Sequence, residues 1–118
     1  HITTFGGHPV CCAAAIASLN VILQEQLMIS VERKEQLFRI LLKHPKIKSI
    51  RGKGLLLALE FDSYEQNKSI IDRCIANGLV SDWFVFASHC MRIAPPLTIS
   101  EEEIKTACTI ILEAIVGE

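Results

Sequence analysis

The chain has 118 residues, with 12 lysines and arginines against 13 aspartates and glutamates and a formal net charge of -1. Half of its residues are apolar and its mean hydropathy is +0.35, high for a length that normally makes one core and buries roughly 60 to 70% of the unfolded surface. Part of that apolar surface is therefore expected to face a partner or a further part of the same protein, and the interspersed charges speak against a nucleic-acid or anionic-membrane ligand.

The five cysteines, Cys11, Cys12, Cys74, Cys90 and Cys108, are odd in number and none forms a C-x-x-C pair. They favour reduced thiols in a cytoplasmic protein over a disulfide framework. The longest apolar run, Val10 to Leu23, is interrupted by Ser18 and Asn20 and falls short of a bilayer span. The chain opens on His1, with its first methionine at Met28, and is expected to be a fragment.

Along the chain, Gly6 and Gly7 relax the backbone and Pro9 suits a first helical turn. The spacing predicts a helix to about Gln26, apolar nearly all round and packed on several sides. Ser30 is the expected N-cap of a second helix with Leu37, Phe38, Leu41 and Leu42 inward, ended by Pro45. Ile47 to Arg51 and Leu55 to Phe61 read as strands joined at Gly52 to Gly54, a hairpin. A third helix is predicted from Tyr64 to Asn77, with Ile70, Ile71, Cys74 and Ile75 inward and Gly78 at its end. Leu79 and Val80 read as a short strand, and Met91 to Ile93 as another, closed by Pro95 and Pro96. Ser100 with Glu103 makes a capping box for a last helix to Val116, with Ile104, Cys108, Ile111 and Ile115 at helical spacing. Helices on a small, mostly antiparallel sheet make an α+β fold.

Few stretches carry chemistry by themselves. A metal site from His1, His8, Cys11 and Cys12 matches no usual zinc spacing, and none is assigned. Thr3 and Thr4, beside two glycines and a helix start, form either an anion site or a capped helix entrance. Arg92, in an apolar strand just before two prolines, is either a carboxylate ligand or an outward-facing, ion-paired strand residue. Trp83, Phe84 and Phe86 read as core or interface.

Three stretches in this order, TTFGGHPVCCAAAIASLNVI, IRGKGLLLALEF and MRIAPPLTISEEEI, closely resemble the C-terminal part of class III pyridoxal-phosphate-dependent aminotransferases. The resemblance covers essentially the whole chain. It implies the small C-terminal domain of a fold-type I transferase, with residues 1–28 as cofactor-phosphate loop and connecting helix from a large domain, and 29–118 as the small domain. It implies a homodimer with the active site at the subunit interface. Thr4, assisted by Thr3, would reach the neighbouring subunit's cofactor phosphate, and Arg92 would meet a substrate carboxylate or a gating glutamate. Ile2, where glycine is common, and His8, where asparagine is more frequent, depart from the family pattern.

The parent enzyme would pass an amino group from an amino acid or ω-amine to a 2-oxo acid. That chemistry needs a lysine tethered to the cofactor and an acid beside the pyridine nitrogen. The family's lysine lies upstream of the threonine motif, so no catalytic residue is assigned and the chain alone is expected to be inert. The alternatives are a free-standing small-ligand or protein-interaction module of the same fold, and an enzyme of the same fold that racemises or decarboxylates.

Overall fold

The computed structural model describes residues 3–117, which divide into two compact units between Ser30 and Val31. The first unit is built on helix α1, Pro9–Gln24, with His8 as N-cap and Pro9 in its first turn. Apolar side chains lie all round α1, and none is buried: Val10, Ile16 and Leu23 are well exposed. The predicted packing on several sides is thus not supplied by the described residues. After Gln26, in a left-handed conformation at φ 50°, a 3-10 turn runs over Leu27–Ser30. Ser30 does not act as the expected side-chain cap, because its hydroxyl donates back to the Leu27 carbonyl at 3.3 Å.

The second unit contains helices α2 (Val31–Leu41), α3 (Tyr64–Ala76) and α4 (Glu101–Val116), and strands β1 (Ser49–Lys53), β2 (Leu56–Glu60), β3 (Trp83–Phe84) and β4 (Ala87–Ile93). The strands form one antiparallel sheet in the order β1-β2-β4-β3. In its register Leu57 faces Ile93 and Leu59 faces Met91, so strand alternation puts all four on one side. There they join Phe38, Ile70, Ile71, Cys74, Ile104, Cys108, Ile111 and Ile115 from the three helices in a single buried cluster. The small sheet with helices predicted from sequence is the fold observed.

The β1–β2 hairpin closes through Gly54 and Leu55, with Lys53 opposite Leu56. Gly54 has φ +62° and Leu55 is not in a positive-φ conformation, the pattern of a two-residue type II′ turn. Helix α4 starts with both halves of the capping box: Ser100 Oγ accepts from the Glu103 N–H at 3.2 Å, and the Glu103 carboxylate accepts from the Ser100 N–H at 2.7 Å.

Three expectations fail in the middle of the chain. Leu79 and Val80 form no strand, because the Leu79 N–H bonds to the Cys74 carbonyl at 2.9 Å and the Gly78 N–H to the Ile75 carbonyl at 3.0 Å. These are the two bonds of a Schellman motif, which draws Leu79 into the end of α3. Ile75 is 48% exposed, since the inward stripe of α3 runs through Asn67, Ile70, Ile71 and Cys74. The last strand begins four residues earlier than expected, at Ala87, and pairs with Trp83–Phe84.

Candidate functional site

The sheet side opposite the core is set by the same alternation. Arg51 on β1 faces Ala58 on β2, and Ala58 faces Arg92 on β4, so two guanidinium groups flank one methyl group in a row across three strands. Together with Leu56, Cys90, Trp83, Phe84 and Phe86 they line a groove of about 820 Å³. The small side chain of Ala58 leaves the space between the two arginines open.

Arg92 is placed by its backbone and its head group together. Its N–H donates to the Asp82 carbonyl at 2.8 Å, and its own carbonyl accepts from Ser81 Oγ at 2.7 Å. Its Nη2 donates to Asp82 Oδ2. Both side chains remain about half exposed, so the pair is solvent-screened and the guanidinium keeps open donors. The strand then ends, and the turn beyond it, closed by the Ile99 N–H on the Pro96 carbonyl at 3.1 Å, is tied back to α2 by Lys34 Nζ, which donates to the Leu97 carbonyl at 2.6 Å.

Arg51 is held differently. Its Nη2 reaches Cys90 Sγ at 3.4 Å and its Nε lies 3.5 Å from Glu60. The Glu60 carboxyl titrates below its ordinary value, first because Ser49 Oγ donates to it at 2.6 Å and then through the charges of Arg51 and His89. Arg51 therefore covers the Cys90 thiol, which is fully buried, and Glu60 balances its charge.

The glycine-rich hairpin is clamped from α2, a role the sequence did not disclose. Glu35 accepts from the Gly54 N–H at 2.5 Å and from Arg39 Nε at 2.9 Å, while Arg39 donates to the carbonyls of Ile50 at 2.7 Å and Gly52 at 3.0 Å. The Gly54 N–H and the Arg39 guanidinium, in that order, hold the Glu35 carboxyl below its usual value. Only the four-residue spacing of Glu35 and Arg39 on one helix face hinted at such a pair.

In the first unit, Thr3 and Thr4 are exposed and lie just before α1. The entrance to α1 carries no side-chain cap, which removes the capping alternative for these threonines. A Cβ on Gly6 would come within 1.9 Å of Thr3 Oγ1, so the missing side chain makes a cradle for that hydroxyl. Gly7 follows at φ +79°. Thr3 and Thr4 thus lie in one unit and Arg92 in the other. Ile2 and His1 lie outside the described residues.

Among the described residues no group of three or more His, Cys, Asp or Glu is arranged to hold a metal, and no single helix is long and apolar enough to cross a membrane. All five cysteines are free. Phe86 is fully exposed and Trp83 is 38% exposed, with Trp83 packed edge-on against Tyr64 at 5.5 Å. Phe84 is half-buried, so none of the three aromatics is a core residue and the interface alternative is the one left.

The sequence profile of the family described as aminotransferase class-III matches residues 1–115. The chain belongs to the class-III aminotransferase family. It is 36% identical to the acetylornithine aminotransferase of Caldanaerobacter subterraneus subsp. tengcongensis over 94% of this chain and 29% of that protein. It is 37% identical to the ornithine aminotransferase of Emericella nidulans over 98% of this chain and 26% of that protein. Among solved structures, the ornithine aminotransferase of Toxoplasma gondii superposes with a TM-score of 0.83 at 37% identity, over 99% of this chain and 29% of that one, and has partial occupancy of PLP at its active site. The chain therefore spans less than a third of the length of these class-III aminotransferases.

Proposed function

We propose that this chain is the C-terminal part of a class III aminotransferase, residues 1–28 being the cofactor-phosphate loop and connecting helix and 29–118 the small domain. The parent enzyme moves an amino group from an amino acid or ω-amine to a 2-oxo acid through pyridoxal phosphate. The observation that carries this reading is the family match over nearly the whole chain, joined to the placement of Arg92 on the open side of the sheet.

The described residues fit the cofactor's phosphate: Thr3 lies across the Gly6 cradle with Thr4 beside it, and both hydroxyls can donate to a dianion. When bound, pyridoxal phosphate supplies an electron sink for the substrate's Cα. Thr4, assisted by Thr3, holds that phosphate for the neighbouring subunit of a homodimer. Arg92 orients a substrate carboxylate through guanidinium donors left open by Asp82.

The chain alone is inert. Lys48 and Lys68 are paired with Asp62 and Asp72, which raise their pKa values, the opposite of what an amine nucleophile needs near neutral pH. Lys34 and Lys46 are spent on the Leu97 and Ile115 carbonyls. The uncovered apolar surface of α1 packs on the large domain, and the five free thiols suit a cytoplasmic setting.

The test is Arg92→Ala in the full-length holoenzyme. Loss of a charge-assisted contact should raise KM for a carboxylate substrate roughly 10- to 100-fold while cofactor absorbance stays unchanged. An unchanged KM would remove Arg92 from the site.

A further inference from the structure

We infer that Asp82 is the positioning residue for Arg92, fixing where its guanidinium presents the donors that receive a substrate carboxylate; this rests on the reading of Arg92 given above. Asp82 is itself held from both sides. Ser81 Oγ bonds to the Arg92 carbonyl, Trp83 pairs with Met91 in the sheet, and the Trp83 ring is stopped by Tyr64 at the start of α3. Between these anchors the Asp82 carbonyl takes the Arg92 N–H, so the carboxylate of Asp82 springs from a backbone fastened to the strand it serves.

The contact uses a single guanidinium nitrogen, Nη2, against Oδ2. A guanidinium carries five N–H donors in a planar fork, and one partner on one nitrogen leaves another edge for a bidentate carboxylate. Asp82 therefore acts as a stop that orients the fork and does not fill it. Both residues line the same groove as Ala58, Trp83 and Phe86, the side from which a carboxylate can approach. A long arginine side chain otherwise loses rotamer freedom when its ligand arrives, and Asp82 removes part of that cost beforehand.

The experiment is steady-state kinetics of the full-length holoenzyme with 2-oxoglutarate as acceptor, comparing Asp82→Ala, Asp82→Asn, Asp82→Glu and Arg92→Ala. Positioning by an acceptor atom at that place predicts a KM roughly 5- to 10-fold higher for Asp82→Ala, with kcat and cofactor absorbance little changed. Asp82→Asn keeps an acceptor oxygen in place and should stay close to the parent, whereas Asp82→Glu keeps the charge, displaces the oxygens and should resemble the alanine variant. If alanine impairs folding, the asparagine and glutamate variants carry the same comparison.

A lower or unchanged KM in Asp82→Ala, or equal changes in the asparagine and glutamate variants, overturns the inference. If Arg92→Ala raises KM and Asp82→Ala does not, only the role of Asp82 falls. If Arg92→Ala also leaves KM unchanged, the reading of Arg92 itself fails.

Discussion

Glu35 and Gly52 show how single residues hold the hairpin beneath the candidate site. Glu35 takes the Gly54 N–H that the turn leaves unpaired and braces Arg39 against two β1 carbonyls. Because its folded pKa is depressed, its contribution is fully present above the unfolded carboxylate value and is lost as pH falls through the folded one. Glu35→Gln should cost about 2 kcal/mol near neutral pH and flatten the acid limb of stability, measured by urea unfolding between neutral and acidic pH. Gly52 has φ +127°, and a Cβ there would meet the Leu56 carbonyl oxygen at 2.1 Å. Gly52→Ala should therefore destabilise by about 3 kcal/mol or more, read from the same unfolding curves; a loss within experimental scatter would refute the close approach. The glycines were legible as a turn, but the α2 clamp that needs them was not, since no local pattern links Glu35 to a residue on another element.

Among the elements, helix α4 was readable nearly to the residue, because its start signal is chemical and local: the Ser100–Glu103 box is closed in both directions. Ser100→Ala should lower stability by about 1 kcal/mol, checked by thermal unfolding; the Glu103 carboxylate would lose the Ser100 hydroxyl but keep the residue-100 N–H, the largest of the causes that hold it below its ordinary value. The hairpin of β3 and β4 was the opposite case. Its loop, Val85 and Phe86, has no glycine or asparagine and no positive φ, so the usual turn signature is absent, and Trp83–Phe84 and Ala87–Cys90 read as irregular where they pair as strands. Leu79 misled for a related reason: a β-like Leu-Val pair was claimed by the Schellman motif behind Gly78. Ser30 failed as a cap because its hydroxyl had a nearer acceptor in the 3-10 turn. Of the candidate site, Arg92 was visible as a charge in an apolar strand, while Asp82 was not, because its partner lies across a sheet edge that sequence alone did not show.

At the scale of the whole molecule, the helices and sheet of the second unit close a core of their own, whereas α1 exposes apolar side chains on every side. The burial of Cys74 and Cys108 pushes their thiols up to about 11 and about 12, and they serve the core as small hydrophobes. On the function proposed above the chemistry is distributed otherwise: the hydroxyls before α1 would take a phosphate, the guanidinium on β4 a carboxylate, and the tethering lysine would come from the large domain. On that proposal one reaction is shared between this chain and a larger parent. The measurement that tests it most directly follows the visible absorbance of pyridoxal phosphate with the full-length protein and with the 118-residue chain, on adding an amino donor and then a 2-oxo acid. The expected result is a change with the donor that the acceptor reverses in the full-length protein, and neither change in the chain alone. A full-length protein indifferent to every donor and acceptor tried, or a chain that completes the cycle by itself, would contradict it.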